Sequence, residues 1–433
     1  MRLFLTIIFM CLALLAQAQE HTISLDKSKQ AALVYSEAIK NGKLDIASAE
    51  TDVKAAKSAY LPSVSLTGVG VYGFKDLIGP MPPMLEQGIN NFYFAGASAT
   101  QPVYVGGKIR TTNQLAALRL EVNKIRAKQS VDSVLLVTEQ KYWNLVNIQE
   151  QHKTLLANEK LLDGILKQQN DLLASGLIAR NDQLKVKVQR SKLLLNKSKL
   201  ENGKKLALLD FCVYIGIPYD SLLVMQDILV TSSFPALVAT VPDTSLAKND
   251  SYRLLQKSLE AEKLQTRLTR SDLLPTVSIG ANVAQIGSVN SGLGSSFMPV
   301  AMGTISVPIS DWWGQGKQDL KKRVISEQKA QHNFEVAQNQ LKVGITKAWY
   351  DLTDARKEIQ FAKENLEQAK ENLKVSQDNY ASGLIEIPEL MDAQTSYQEA
   401  SSAHVNAYAN FQLKVAVYQY FTGNLDGTIK INH

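Results

Sequence analysis

Apolar residues recur every seven positions late in the chain, at Leu352, Ile359, Leu366, Leu373 and Tyr380, with Ala355, Ala362, Ala369 and Ser376 interleaved. This heptad stripe predicts a long helix packed on a partner helix. Beyond Gly383 a second stripe starts afresh, with Leu390, Tyr397, His404, Phe411 and Tyr418 as its bulky layer and Ala393, Ala400 and Ala407 as its small one. A glycine in the left-handed conformation ends a helix, and Pro388 suits the first turn of the next, so the chain is expected to turn back here. Large and small layers let the two helices approach closely, and the seven-residue period supercoils them left-handed. The tip, Asn379 to Asp392, has a copy in Asp171 to Leu184, and both contain ASGLI. The pattern predicts a duplicated antiparallel coiled-coil hairpin.

Three more markers repeat in the same order. Leu61-Pro62-Ser63-Val64-Ser65 returns as Leu274-Pro275-Thr276-Val277-Ser278. Gln101-Pro102-Val103 before Gly107-Lys108 returns as Val307-Pro308-Ile309 before Gly316-Lys317, and Lys141 and Trp143 return as Lys347 and Trp349. With the tips, these markers predict an internal tandem duplication. Repeat 1 is expected at about residues 21–215, an equatorial linker at about 213–244, repeat 2 at about 245–422 and a tail at 423–433.

Each half also holds two segments without a helical stripe, Ser63 to Phe74 and Phe92 to Tyr104, then Thr276 to Ile286 and Val300 to Val307. They are rich in Ser, Thr, Gly, Ala and aromatics and alternate partially. Loops at Lys75 to Asn91 and Gly287 to Met298 join each pair. Weakly apolar hairpins of this length are what transmembrane barrel strands look like; the alternative is a soluble hairpin capping a helical bundle.

Helices are expected from Lys108 to about Ala174 and from Lys317 to Ala381, each about 100 Å long at 1.5 Å per residue. The returning helices, about Arg180 to Cys212 and Pro388 to Phe421, reach only about half as far. Stretches at Ser245 to Asp272 and Leu25 to Ala59 are expected to complete them, with Val213 to Thr244 as an irregular equator. The fold class is therefore mainly α with a β-barrel part. Four strands cannot close a barrel and an open edge cannot face lipid, so the barrel must be shared. Two copies give a small filled barrel; three give about twelve strands with a lumen, which is the expected state.

The chain opens with Arg2, an apolar run from Leu3 to Leu15 and Ala16-Gln17-Ala18, the pattern of a cleaved signal peptide over residues 1–18. Cys11 lies inside that run, so Cys212 is the one cysteine expected in the processed chain, residues 19–433. Lysines and arginines alternate with glutamates along the helices despite a net charge of +6, which argues for solvated faces rather than a nucleic-acid surface.

Candidate chemistry is sparse. Gly68, Gly70 and Gly73 spell G-x-G-x-x-G, but no helix follows, so a dinucleotide cofactor is not expected. His21, His152, His332, His404 and His433 lack metal-ligand spacing, and His404 lies on the helical stripe, where packing is expected. No nucleophile elbow or complete phosphate loop occurs, so no enzyme, cofactor, catalytic residue or metal is expected. Trp312 and Trp313, where strand becomes helix, suit an interfacial aromatic belt or a packed corner.

The LPxVS-like strand entries, the two Ser-Gly-Leu tips and the opening ISLDKSKQAALVYSEAIK together resemble the TolC-like outer membrane efflux proteins across essentially the whole processed length. The resemblance implies a homotrimer whose barrel, in outer membrane lipid, continues into a helical tunnel across the periplasm. It also implies docking to a periplasmic adaptor and an inner membrane pump of RND, ABC or MFS type. The duct would passively serve efflux or type I secretion, its cargo open among drugs, metal ions, lipids and proteins. By the same resemblance Tyr380, Glu389 and Asp392, with Arg180 and Asp182 of the first tip, are candidates for a periplasmic gate. Gly176, Leu177, Gly383 and Leu384 are candidates for adaptor contact. At Ile385 the sequence departs from relatives that carry a locking arginine, and Arg180 is the candidate substitute. The rival reading from another class is a periplasmic coiled-coil scaffold without a pore.

Overall fold

The computed structural model describes residues 22–83, 88–229, 241–289 and 295–425. The expected leader, the middle of the expected linker and the end of the expected tail lie outside these residues. Backbone contacts divide the chain into a tip unit, Met1–Asn41, Ala127–Tyr252 and Asn339–His433, and a sheet unit, Gly42–Arg126 and Arg253–Gln338.

The elements run in the order β1 (Thr22–Ile23), α1 (Leu25–Tyr35), α2 (Glu37–Ser58), β2 (Ser63–Tyr72), β3 (Asn91–Val105), α3 (Lys108–Ala174), α4 (Arg180–Ile215), β4 (Val224–Met225), α5 (Asp250–Ser271), β5 (Thr276–Gly287), β6 (Ser296–Ser306), a 3-10 turn (Ile309–Trp312), α6 (Gln315–Ala381) and α7 (Ile387–Thr422). The long helices α3 and α6 have 67 residues each and the returning helices α4 and α7 have 36 each. The expected helices and strands are all present, with α5 beginning at Asp250 rather than about Ser245 and three further differences. The stretch from Leu25 is two helices, parted at Ser36. The fourth strand starts four residues earlier than its composition indicated, because Pro299 pairs with Val283 without ending the ladder. The equatorial stretch is not wholly irregular: β4 pairs in parallel with β1.

In the sheet unit the four long strands form an antiparallel sheet in the order β2-β3-β5-β6, so β2 and β6 are its two edges. The register places Val64, Ala99, Ala281 and Ala301 in one row, and Leu66, Ala97, Val283 and Pro299 in the next on the same face. The opposite face carries Ser65, Ser98 and Asn282, where the Ser65 and Ser98 hydroxyls share a 2.7 Å hydrogen bond. Alternation is thus apolar on one side and polar on the other along this part of β2, β3 and β5, whereas β6 places Val300 and Met302 on the face of Ser65 and Asn282. Gly68 and Gly70 sit within β2, as a strand rather than a phosphate loop. At the junction to α3, Gly106 has φ 63° and a Cβ there would lie 2.6 Å from the Ser271 carbonyl oxygen, so only glycine fits this corner. At the matching junction the Trp312 indole donates to the Leu273 carbonyl at 2.8 Å while its ring stays 48% exposed.

The core of the tip unit joins both hairpins. Tyr142, Val146, Phe211, Ile215, Met225, Ile359, Tyr408 and Phe411 belong to its largest buried cluster. The Tyr142 hydroxyl donates to the Asp227 carboxylate, and burial, reinforced by that bond, raises the Tyr142 pKa well above the usual phenol value. Equatorial loop and long helix are thereby fastened together. His404 is buried edge-on to Tyr408, with ring centroids 5.3 Å apart, so its place on the stripe is a packing position.

Candidate functional site at the hairpin tips

Both hairpins close with the same backbone device. At the end of α3, Gly176 N–H donates to Leu173 O at 3.0 Å and Leu177 N–H to Leu172 O at 2.9 Å. At the end of α6, Gly383 N–H donates to Tyr380 O at 3.1 Å and Leu384 N–H to Asn379 O at 2.8 Å. These are Schellman caps, and they require the left-handed conformation seen at Gly176, φ 71°, and Gly383, φ 72°. The Ser175 and Ser382 hydroxyls each donate to the carbonyl four residues back at 2.9 Å, drawing the last turn closed. Space does not demand these glycines, since a Cβ at either would meet nothing within 4 Å. Conformation does.

Leu177 and Leu384 follow the caps and are 72% and 74% exposed. They contribute almost nothing to sealing their own hairpins. Two bare leucines on matching rigid turns are therefore presented outward.

Beneath the tips lies a second buried cluster, built from Leu162 and Ile165 of α3, Val186 and Leu193 of α4, Leu373 of α6, and Ile387 and Leu390 of α7. Tyr380 packs against it, and its hydroxyl accepts a 2.7 Å hydrogen bond from Gln169 Nε2. Gln169 is fully buried. Tyr380 is thus committed to the seam between the hairpins. A groove of about 510 Å³ opens beside it, lined in part by Gly164 and Gln168 of α3 and Gln377 of α6.

The charged candidates stand apart from that seam. Glu389 lies in the first turn of α7, where the helix N-terminus favours a carboxylate, and Asp392 follows one turn on; both are exposed. Asp182, in the first turn of α4, accepts from Lys185 at 3.3 Å. Arg180 is exposed at the start of α4 and has no ion pair with Glu389 or Asp392 among the described residues. One chain therefore brings Tyr380 to Gln169 but does not bring the charged candidates together. Gln169 was not among the expected residues. Its signal was a polar residue breaking the apolar heptad Leu155, Leu162, Gln169. Among the described residues no three His, Cys, Asp or Glu side chains gather as a metal site.

Residues 241–417 match the sequence model of the family described as outer membrane efflux protein. No curated protein matches the chain in sequence. Its fold is that of solved outer membrane channels. CusC, solved in a study of folding and transmembrane channel formation, superposes with a TM-score of 0.82 at 15% identity, covering 92% of each chain. The outer membrane channel OprN gives 0.79 at 17% identity over 92% of this chain and 90% of its own. The Campylobacter jejuni outer membrane channel CmeC gives 0.78 at 16% identity over 92% of this chain and 85% of its own. The resemblance to the outer membrane efflux proteins holds, in sequence over the second half and in fold over nearly the whole chain.

Proposed function

From a chain that resembles the outer membrane efflux proteins and shares the fold of solved outer membrane channels, we propose a passive exit duct in the outer membrane, built from three copies and extending into the periplasm. The observation that carries this reading is the sheet. Its outer strands β2 and β6 each pair on one side only among the described residues, and one of its faces carries Val64, Leu66, Ala97 and Val283 in register. Open edges cannot face lipid, and four strands are too few to close; twelve strands from three copies satisfy both conditions and leave a lumen. The equal hairpins and strand pairs of the two halves support a tandem duplication as the origin of this arrangement.

The hairpin tips are the docking site for a periplasmic adaptor, with Leu177 and Leu384 as its apolar contacts. Glu389 and Asp392, repeated by threefold symmetry, form an anionic collar at the entrance, to which Tyr380, Arg180 and Asp182 contribute as gate residues. The duct performs no chemistry, so an inner membrane pump supplies the energy and selects the cargo, for efflux or for type I secretion.

The test is affinity purification of the tagged protein from envelope membranes in mild detergent. Recovery of a trimer with an adaptor and an inner membrane pump supports the duct. Recovery from the soluble fraction without an adaptor supports a periplasmic scaffold instead.

A further inference from the structure

In the sheet unit, none of the four long strands contains a lysine, arginine, aspartate or glutamate. Charge returns abruptly where the strands meet the helices, and there it is mostly positive. Lys54 and Lys57 lie in the closing turns of α2, Arg267 and Arg270 in those of α5, while Lys108 and Arg110 open α3 and Lys317 and Lys321 open α6. The same turns and their corners hold four carboxylates, Asp52, Asp272, Asp311 and Asp319. Eight cations to four acids, in a chain whose totals are 47 to 41, show where the positive excess gathers. The sequence joining the strands at their other ends does not repeat this: residues 73–90 contain Lys75, Asp76 and Glu86, and residues 288–295 no charge.

All eight cations are exposed, and apart from Lys108, which holds Asp272 at 2.8 Å, none has an ionic partner among the described residues. Lys57 and Arg270 sit in last turns, where a cation complements the helix dipole. Lys108, Arg110 and Lys317 sit in first turns, where a cation opposes it, and neither α3 nor α6 has an acidic residue there. Helix stability therefore does not account for them. At the boundary between the uncharged strands and these cations, Tyr60, Tyr104, Trp312 and Trp313 are 48% to 69% exposed. Two of them are tied to their corners: Gln101 Nε2 donates to the Tyr60 carbonyl at 3.2 Å, and the Trp312 indole is held by Leu273. Uncharged span, amphipathic rings, then cations is the order that hydrocarbon, interface and headgroup phosphates follow in a bilayer leaflet.

We propose that this junction binds anionic phospholipid headgroups of the bilayer, with the rings at headgroup level and the cations on the phosphates. The lipid selected carries a net negative charge, as phosphatidylglycerol and cardiolipin do, because a zwitterionic headgroup answers its phosphate with its own ammonium. Arg267 and Arg270 are the principal phosphate ligands: guanidinium forks donate in pairs, and residues three apart are neighbours on one helix face. This inference rests on the outer membrane duct proposed above and assigns the lipid that the helical rim of its sheet selects.

The experiment offers the detergent-extracted full-length protein an equal mixture of phosphatidylglycerol and phosphatidylethanolamine and counts the lipids retained by native mass spectrometry. Phosphatidylglycerol is expected to be kept several-fold over phosphatidylethanolamine. Arg267→Gln with Arg270→Gln is expected to lower that ratio about twofold or more, and Arg267→Lys with Arg270→Lys to keep most of it. Lys192→Gln with Lys199→Gln, on α4, is expected to leave it unchanged. Excess glycerol phosphate, the soluble headgroup, is expected not to displace the lipid, since it brings no chains for the rings to lie against. Displacement by glycerol phosphate, or an equal loss with the α4 pair, overturns the bilayer site. Equal retention of both lipids by a protein that still extracts from membranes overturns it and leaves the duct standing. The same holds if the Arg267 and Arg270 variants alter single-channel ion selectivity with the lipid ratio unmoved, which turns these cations toward the pore. A chain found wholly in the soluble fraction removes both the site and the duct.

Discussion

Gln169 on α3 donates from Nε2 to the Tyr380 hydroxyl on α6 at 2.7 Å, a polar clasp set in the apolar seam between the two hairpins. Tyr380→Phe removes the acceptor and strands a fully buried amide, which costs about 1–3 kcal/mol. Adding Gln169→Leu removes the stranded group, so the double variant is expected to recover much of that loss. Thermal unfolding of the four members of this mutant cycle, in detergent, measures the coupling.

Glu389 and Asp392 are exposed and unpaired on one face of α7 among the described residues. If they form the collar, Glu389→Ala with Asp392→Ala lowers the preference for cations in single-channel recordings while leaving thermal stability within about 0.5 kcal/mol, as expected of surface positions. Unchanged selectivity would remove the collar.

Leu384→Glu and Leu177→Glu replace side chains that pack on nothing of note in their own hairpins. Both variants are expected to assemble normally and to lose adaptor capture in pull-down. Wild-type capture by the double variant would show that the leucines merely decorate the turns.

Burial pushes the His404 pKa below its usual value, helped by Lys363 and opposed by Glu367. The imidazole is therefore neutral in the fold and gains a proton more readily once unfolded. Its contribution to stability is complete above the unfolded pKa of about 6.5 and is lost as pH falls from there toward the depressed folded value. Melting temperatures taken between pH 8 and pH 5 are expected to fall on the acid side, and His404→Phe is expected to flatten that fall.

The hairpins were legible because a seven-residue stripe and a Gly at each tip leave little choice: α3 ends at Ala174 and α6 at Ala381, the residues expected. The strands were legible mainly through punctuation. Their alternation is weak because small residues such as Ala95, Gly96, Ala97 and Ser98 occur on both faces, so the start of β6 was set too late. The break at Ser36 and the β1–β4 pairing were not legible, since a two-residue strand has no period and depends on residues some two hundred positions apart. Of the candidate site, the caps could be read from glycine alone. The Gln169 clasp could not, because a polar residue in a stripe does not say which helix will answer it.

The bare edges of β2 and β6 have a consequence for the life of the chain before it reaches its destination. A lone copy exposes two rows of unanswered N–H and C=O groups, which water tolerates, hydrocarbon rejects and any stray strand can seize. Solitude is thus the dangerous stage. In the multi-copy duct proposed above, finding its siblings and entering lipid would be a single event, whose rate depends on how many copies are present at once, so abundance would govern whether the sheet completes itself or aggregates.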